Sequence, residues 1–303
     1  MSAPPRLFDR DLARTRLARA LAGPDPHGAA FLLRRAAEDL GDRLGAVLRR
    51  FERAVDLAGA LPYAAEALAA SPKVGAVTRI APLPEPADPR WTTLAGDEEA
   101  LPLAPESVDL VVSLLTLQGV NDVPGALAQI RRALRPDGLF LGCMVGGATL
   151  TELRQAFTQA ESEVEGGASP RVSPFADVRD LGALLQRAGL AIPVTDTDAF
   201  VVRYADPLAL MRDLRAMGAA NALVARRRTP LHRATLVRAL EIYADRFSDP
   251  DGRVRATFEL IWLSGWAPHE SQQKPLRPGS AQARLADALG VPERPTGEKP
   301  GEG

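Results

Sequence analysis

The stretch Asp56-Leu57-Ala58-Gly59-Ala60-Leu61-Pro62 follows a short apolar run, Ala54 to Ala58, that reads as a first strand. In an α/β unit the turn after such a strand cradles a nucleotide-like ligand, and glycine there lets ligand atoms approach the backbone. Gly59 is the one glycine in this turn. Alanine at a turn position that needs a positive φ would be strained, while Pro62 suits the first turn of the next helix. An acid about 20 residues further on normally binds ribose hydroxyls. Position 23 after Asp56 is instead Arg79, and Glu85 and Asp88 follow among Pro82, Pro84, Pro86 and Pro89, in what reads as a loop. Asp97 and Glu98 next offer carboxylates that accept amino hydrogens; an ordinary acidic loop explains them equally well. A third stretch, Leu115 to Asp122, lies past the carboxyl end of an apolar strand, where parallel sheets bind ligands. Its polar members Gln118 and Asn121 are the catalytic candidates. For Asn121 and Asp122 the competing reading is helix capping.

The elements that must hold these residues are legible from spacing. Val108 to Leu114 is an apolar run short enough for a strand buried on both faces. Ala126, Leu127, Ile130, Ala133 and Leu134 recur at helical spacing, Arg135-Pro136-Asp137-Gly138 reads as the turn that stops the helix, and Leu139 to Val145 is a second apolar run. Strand, helix and strand with a tight turn make a parallel crossover and an α/β sheet. The expectation is that Val55 and Val111 lie on neighbouring central strands.

Residues 1–53 read as two helices, Asp11 to Leu21 and Ala29 to Phe51, whose arginines form a solvated face, a lid or a partner surface. Further strands are expected over Val74 to Ile80, Arg90 to Leu94, Ile192 to Tyr204 and Ala256 to Trp266, and helices over Leu150 to Glu165, Val178 to Ala188, Leu208 to Met217 and Thr235 to Phe247. The stripe Met211, Leu214 and Met217 reads as core. Arg226-Arg227-Arg228 is the densest basic run, a solvated loop or a site for an acidic partner or carboxylate. The organisation expected is N-terminal helices at 1–53, a main domain at 54–273 with a helical insertion at about 205–248, and a Pro/Gly-rich tail at 274–303, disordered apart from a short helix near Ala281 to Leu289.

Composition removes several function classes. The 303 residues carry a net charge of -1, giving no global pull toward nucleic acid. Cys143 is the single cysteine, so an intrachain disulfide is excluded, and it reads as a small buried hydrophobe in a reducing compartment. His27, His232 and His269 show no metal-ligand spacing. No run approaches the ~20 apolar residues of a membrane span, and the first residues lack the apolar core of a secretory signal. A cytoplasmic location is expected, with any contact to the inner membrane made through a partner.

The order Asp97, Leu101-Pro102, Ser107, Asp109-Leu110-Val111, Leu134, Pro136 and Gly138 resembles the second half of a class I S-adenosylmethionine-dependent methyltransferase domain. The resemblance implies a Rossmann-like, mostly parallel sheet of seven strands with the last antiparallel, and S-adenosylmethionine as cofactor. It places Asp56, Ala58, Gly59, Ala60, Arg79, Asp97, Glu98, Leu115 and Thr116 at the cofactor. The family's loop is roughly D-L-G-x-G-x-G; here its glycine positions hold Ala58, Ala60 and Pro62. A narrower likeness runs from Leu7 to about residue 273. It is carried by Leu7-Phe8-Asp9-Arg10-Asp11-Leu12, Val120-Asn121-Asp122, Gly146-Gly147-Ala148-Thr149-Leu150-Thr151-Glu152-Leu153-Arg154 and Ser169-Pro170-Arg171-Val172-Ser173-Pro174-Phe175. These resemble the methyltransferase-like assembly factors of respiratory complex I and their bacterial relatives, a family similar to the malonyl-carrier-protein methyltransferases and one reported to hydroxylate an arginine. Relatives tend to carry His-Trp where this chain has Gln118-Gly119. Three roles follow: a methyltransferase acting on a protein or carrier-bound substrate, an arginine hydroxylase and assembly factor for a complex I subunit, or a non-catalytic binding module on the same fold.

Overall fold

The computed structural model describes residues 6–273 and Gly290. Among the described residues, seven strands form one sheet: β1 (Phe51–Leu57), β2 (Val74–Ala81), β3 (Thr92–Ala95), β4 (Val108–Leu114), β5 (Leu134–Val145), β6 (Ala191–Tyr204) and β7 (Val254–Trp266). Their spatial order is β3-β2-β1-β4-β5-β7-β6. Every pair from β3 to β5 is parallel, and β7 runs antiparallel to both of its neighbours. This is the mostly parallel sheet expected, and Val55 stands opposite Val111 on the central pair.

Nine helices among the described residues accompany the sheet: α1 (Arg10–Leu21), α2 (Pro26–Ala29), α3 (Phe31–Ala46), α4 (Tyr63–Ala70), α5 (Val123–Ala133), α6 (Thr151–Glu165), α7 (Val178–Arg187), α8 (Pro207–Ala216) and α9 (Arg233–Phe247). All seven residues of β4 are buried, because helices cover both faces of the sheet. On one face Val55, Val111 and Phe140 pack with Leu127 and Ile130 of α5 and Leu181 and Leu185 of α7. On the other, Leu110, Val112 and Trp262 pack with Leu40 and Leu44 of α3 and Leu68 of α4. A third cluster joins α6, α8 and α9 to Phe258 of β7.

Several boundaries differ from the expectation; β7 and α9 each begin two residues early, at Val254 and Arg233. The long helix expected over Ala29 to Phe51 is α2 and α3. It stops at Ala46, Val47 turns extended, and Phe51 pairs with Val74 as the start of β1. Residues 51–53, grouped above with the N-terminal helices, therefore belong to the first strand. The segment Arg135-Pro136-Asp137-Gly138 is a kink inside β5 rather than a turn before it. α5 already ends at Ala133, Asp137 takes φ +63°, and the β4–β5 register shifts there; Pro136 has no N–H for a regular ladder. β3 begins two residues later than expected, at Thr92. The tail expectation covers 274–303, of which only Gly290 is among the described residues.

Candidate functional site

Past the carboxyl ends of β1 and β4 lies a cavity of about 520 Å³, within the usual range for small-molecule sites. Ala58, Ala60, Glu98, Leu115, Thr116 and Gln118 line it; Asp56, Gly59, Arg79, Asp97 and Asn121 do not. The remaining wall comes from elements the sequence reading did not connect to the site. α1 contributes Arg14 and Leu17, α6 contributes Leu153 and Phe157, and α8 contributes Met211 and Leu214. The methionine stripe read as core thus packs on the third cluster and also faces the void.

Both strand ends turn through left-handed backbone, Ala58 at φ +59° and Leu115 at φ +56°. For residues with a Cβ this conformation costs about 1 kcal/mol each. The sheet holds them there: the Ala58 N–H donates to the Ile80 carbonyl at 2.9 Å, and the Leu115 N–H donates to the Cys143 carbonyl at 2.8 Å. Beyond β4 the Ser113 and Thr116 hydroxyls share a hydrogen bond of 2.7 Å. Gln118 gives its amide hydrogen to the Leu115 carbonyl at 2.8 Å, and its Oε1 is buried without a partner among the described residues.

Behind the β1 turn, Arg79 stands opposite Asp56 across the β1–β2 pair, and the two side chains are 1% and 0% exposed. Arg79 Nη1 donates to Asp56 Oδ2 at 2.5 Å, and Nη2 donates to the Gly59 carbonyl at 2.7 Å. Its Nε lies 2.9 Å from both oxygens of Glu85. Glu85 is indeed in a loop, and that loop folds back to present its carboxylate to this guanidinium. A Cβ on Gly59 would stand 3.3 Å from Asp56 Oδ1 and 3.4 Å from Arg79 Nη1, so the underside of the turn is filled.

The other carboxylates of the crevice are also taken by arginines. Arg10 Nη2 donates to Glu98 at 2.6 Å and lies 3.6 Å from Asp97. Burial alone would lower the Arg10 pKa; the carboxylates of Glu98, Asp97 and Glu99 outweigh it and raise the value. Asp97 accepts from Arg14 at 3.0 Å and from the backbone N–H groups of Glu99 and Ala100. Of the two catalytic candidates, Asn121 points at the N-terminal segment, where it binds the backbone of Phe8. Asp122 is the helix cap, accepting the Gly125 N–H at 2.8 Å.

Comparison with known proteins agrees with this architecture. Residues 47–142 match the family described as a methyltransferase domain. The chain is 40% identical over 288 residues to the human mitochondrial arginine-hydroxylase NDUFAF5, covering 93% of this chain and 83% of that protein. It is 34% identical to the malonyl-[acyl-carrier protein] O-methyltransferase of Halorhodospira halophila, covering 78% and 81%. Among solved structures, the YcgJ protein of Bacillus subtilis shares the fold at TM-score 0.53 with 16% identity, covering 77% of this chain and 99% of that one.

Proposed function

The chain belongs to the methyltransferase-fold family that contains the arginine hydroxylase NDUFAF5, and on that premise we propose that it is a member that has given up S-adenosylmethionine and serves as an assembly module for a protein partner. The partner class is the one implied by the sequence resemblance, a subunit of respiratory complex I. The work is done in the cytoplasm, next to a membrane-bound partner; no described helix is long and apolar enough to cross a membrane.

The observation that carries this reading is the network around Arg79. A ribose diol needs a carboxylate acceptor at the end of the second strand. This chain puts a guanidinium there and neutralises it with Asp56 and Glu85. The carboxylates of Asp97 and Glu98 are held by Arg14 and Arg10. The methyl groups of Ala58 and Ala60 stand where close backbone approach is needed. A nucleoside with a sulfonium cation therefore finds no free carboxylate among the described residues of the crevice, so the residues present do not fit it.

Calorimetric titration of the full chain with S-adenosylmethionine and with its demethylated product tests the proposal. No heat of binding is expected at millimolar ligand. Micromolar affinity for either compound would overturn it and return the chain to methyl transfer.

A further inference from the structure

The basic run Arg226-Arg227-Arg228 belongs to a larger feature. Residues 222–224 lie antiparallel to residues 7–9: the Asp9 N–H donates to the Ala222 carbonyl at 2.8 Å, the Val224 N–H donates to the Leu7 carbonyl at 2.9 Å, and Phe8 bridges Leu223. This pairing sets the run beside α1. Arg227 is neutralised by Glu165. Arg226 reaches Asp9 at 3.0 Å. Arg16 donates to the carbonyl of Asn221, a residue of the cavity wall. Burial first, and then the neighbouring Arg226, pull the Arg16 pKa down. Arg19 and Arg228 are exposed and have no carboxylate partner among the described residues. Three guanidinium groups, Arg16, Arg226 and Arg228, therefore share the field of the one carboxylate of Asp9, and Arg19 lies next to Arg16. Beside them Leu7 and Val224 are 44% and 41% exposed.

We propose that this strip, made of Arg16, Arg19, Arg226 and Arg228 with the exposed pair Leu7 and Val224, is the docking surface for an acidic segment of the partner protein that carries apolar residues at intervals. The inference rests on the assembly reading above and names the partner's chemistry. Two apolar side chains are too few to anchor the chain in a lipid surface, where each buried methylene contributes only about 0.8 kcal/mol. They match the side chains of an extended peptide whose carboxylates meet the arginines. The strip also meets the cavity wall at Asn221, whose carbonyl Arg16 binds.

Fluorescence anisotropy with a labelled Glu/Leu-alternating peptide tests the surface on the full chain. The peptide should bind. Replacing its leucines by serine should weaken it about tenfold, as should the double variant Arg19→Glu with Arg228→Glu, each loss corresponding to about 1.4 kcal/mol. Both arginines are exposed, so the variant should keep the wild-type unfolding midpoint. Equal binding of the serine peptide, unchanged binding by the double variant, or no binding by the wild type overturns the proposal. So does flotation of the wild type with phosphatidylglycerol vesicles that the variant loses, since that makes the strip a membrane surface. S-adenosylmethionine binding would undo the functional reading while leaving these peptide results standing.

Discussion

The side chain of Asn121 holds Phe8 by both polar groups of its backbone, accepting the N–H at 2.7 Å and donating to the carbonyl at 3.2 Å. The same loop holds the N-terminal segment at one further point, where the Gly119 carbonyl accepts from Arg10 Nη1 at 3.3 Å. Asn121→Ala should release residues 7–21 without unfolding the sheet. Losing two such bonds costs about 2 kcal/mol, so amide exchange there should quicken roughly thirtyfold. Unchanged protection in that segment would mean that Arg10 and Arg226 hold it alone.

Arg79→Met should destabilise the chain by about 3–5 kcal/mol, since it leaves the buried Asp56 carboxyl without its cation. Adding Asp56→Asn should recover more than half of that loss, because no buried acid is then left without its cation. Urea unfolding of the two variants measures both steps. A single variant within about 1 kcal/mol of wild type would contradict a fully desolvated pair.

Ala58→Gly should stabilise the protein by up to about 1 kcal/mol by removing a Cβ from left-handed backbone, partly offset by the freer unfolded chain. The same variant should gain no measurable S-adenosylmethionine affinity, because Arg79 still occupies the underside of the turn. Denaturation and calorimetry on one preparation check the two statements together.

Glu161 fixes the segment that walls the cavity at Arg171, Val172 and Ser173. Its carboxylate accepts the Ser169 N–H at 2.5 Å and hydroxyl at 2.8 Å, and the Arg171 Nε–H at 2.7 Å. Burial pushes the Glu161 pKa up, but these donors outweigh it and hold it below 4.5. A depressed carboxylate stabilises the fold above its unfolded pKa, and that stabilisation is lost as pH falls through the lower folded value. Glu161→Gln should therefore cost about 2–3 kcal/mol at pH 7. The gap from wild type should hold down to about pH 4.5 and close at more acid pH. A gap independent of pH would assign the effect to shape rather than charge.

The sheet was legible because its signals are local. Val108 to Leu114 is one unbroken apolar run, and the helix after it shows a clear period, so β4, α5 and the Val55–Val111 neighbourhood follow from spacing. The site was legible only in part. Arg79 was visible as the wrong residue for a ribose acid, but its neutralisation was not. Glu85 reaches it from a proline-rich loop whose path no periodicity describes. Asn121 looked like a site group because its partner Phe8 is 113 residues away. Met211 and Leu214 looked like core because an apolar stripe has the same spacing whether it covers a neighbour or a void. A helical reading of Phe51 follows from leucines that keep a helical period to Leu48, although α3 ends at Ala46 and leaves Leu48 exposed.

The placement of β7 between β5 and β6 has a consequence for synthesis on the ribosome. Among the described residues the one strand that pairs with β6 is β7, yet β6 is translated before α8, α9 and β7 exist. The nascent protein must therefore carry a strand of 14 residues unpaired until Val254–Trp266 has emerged. A chain stalled before Val254 would present that strand as a template for aggregation.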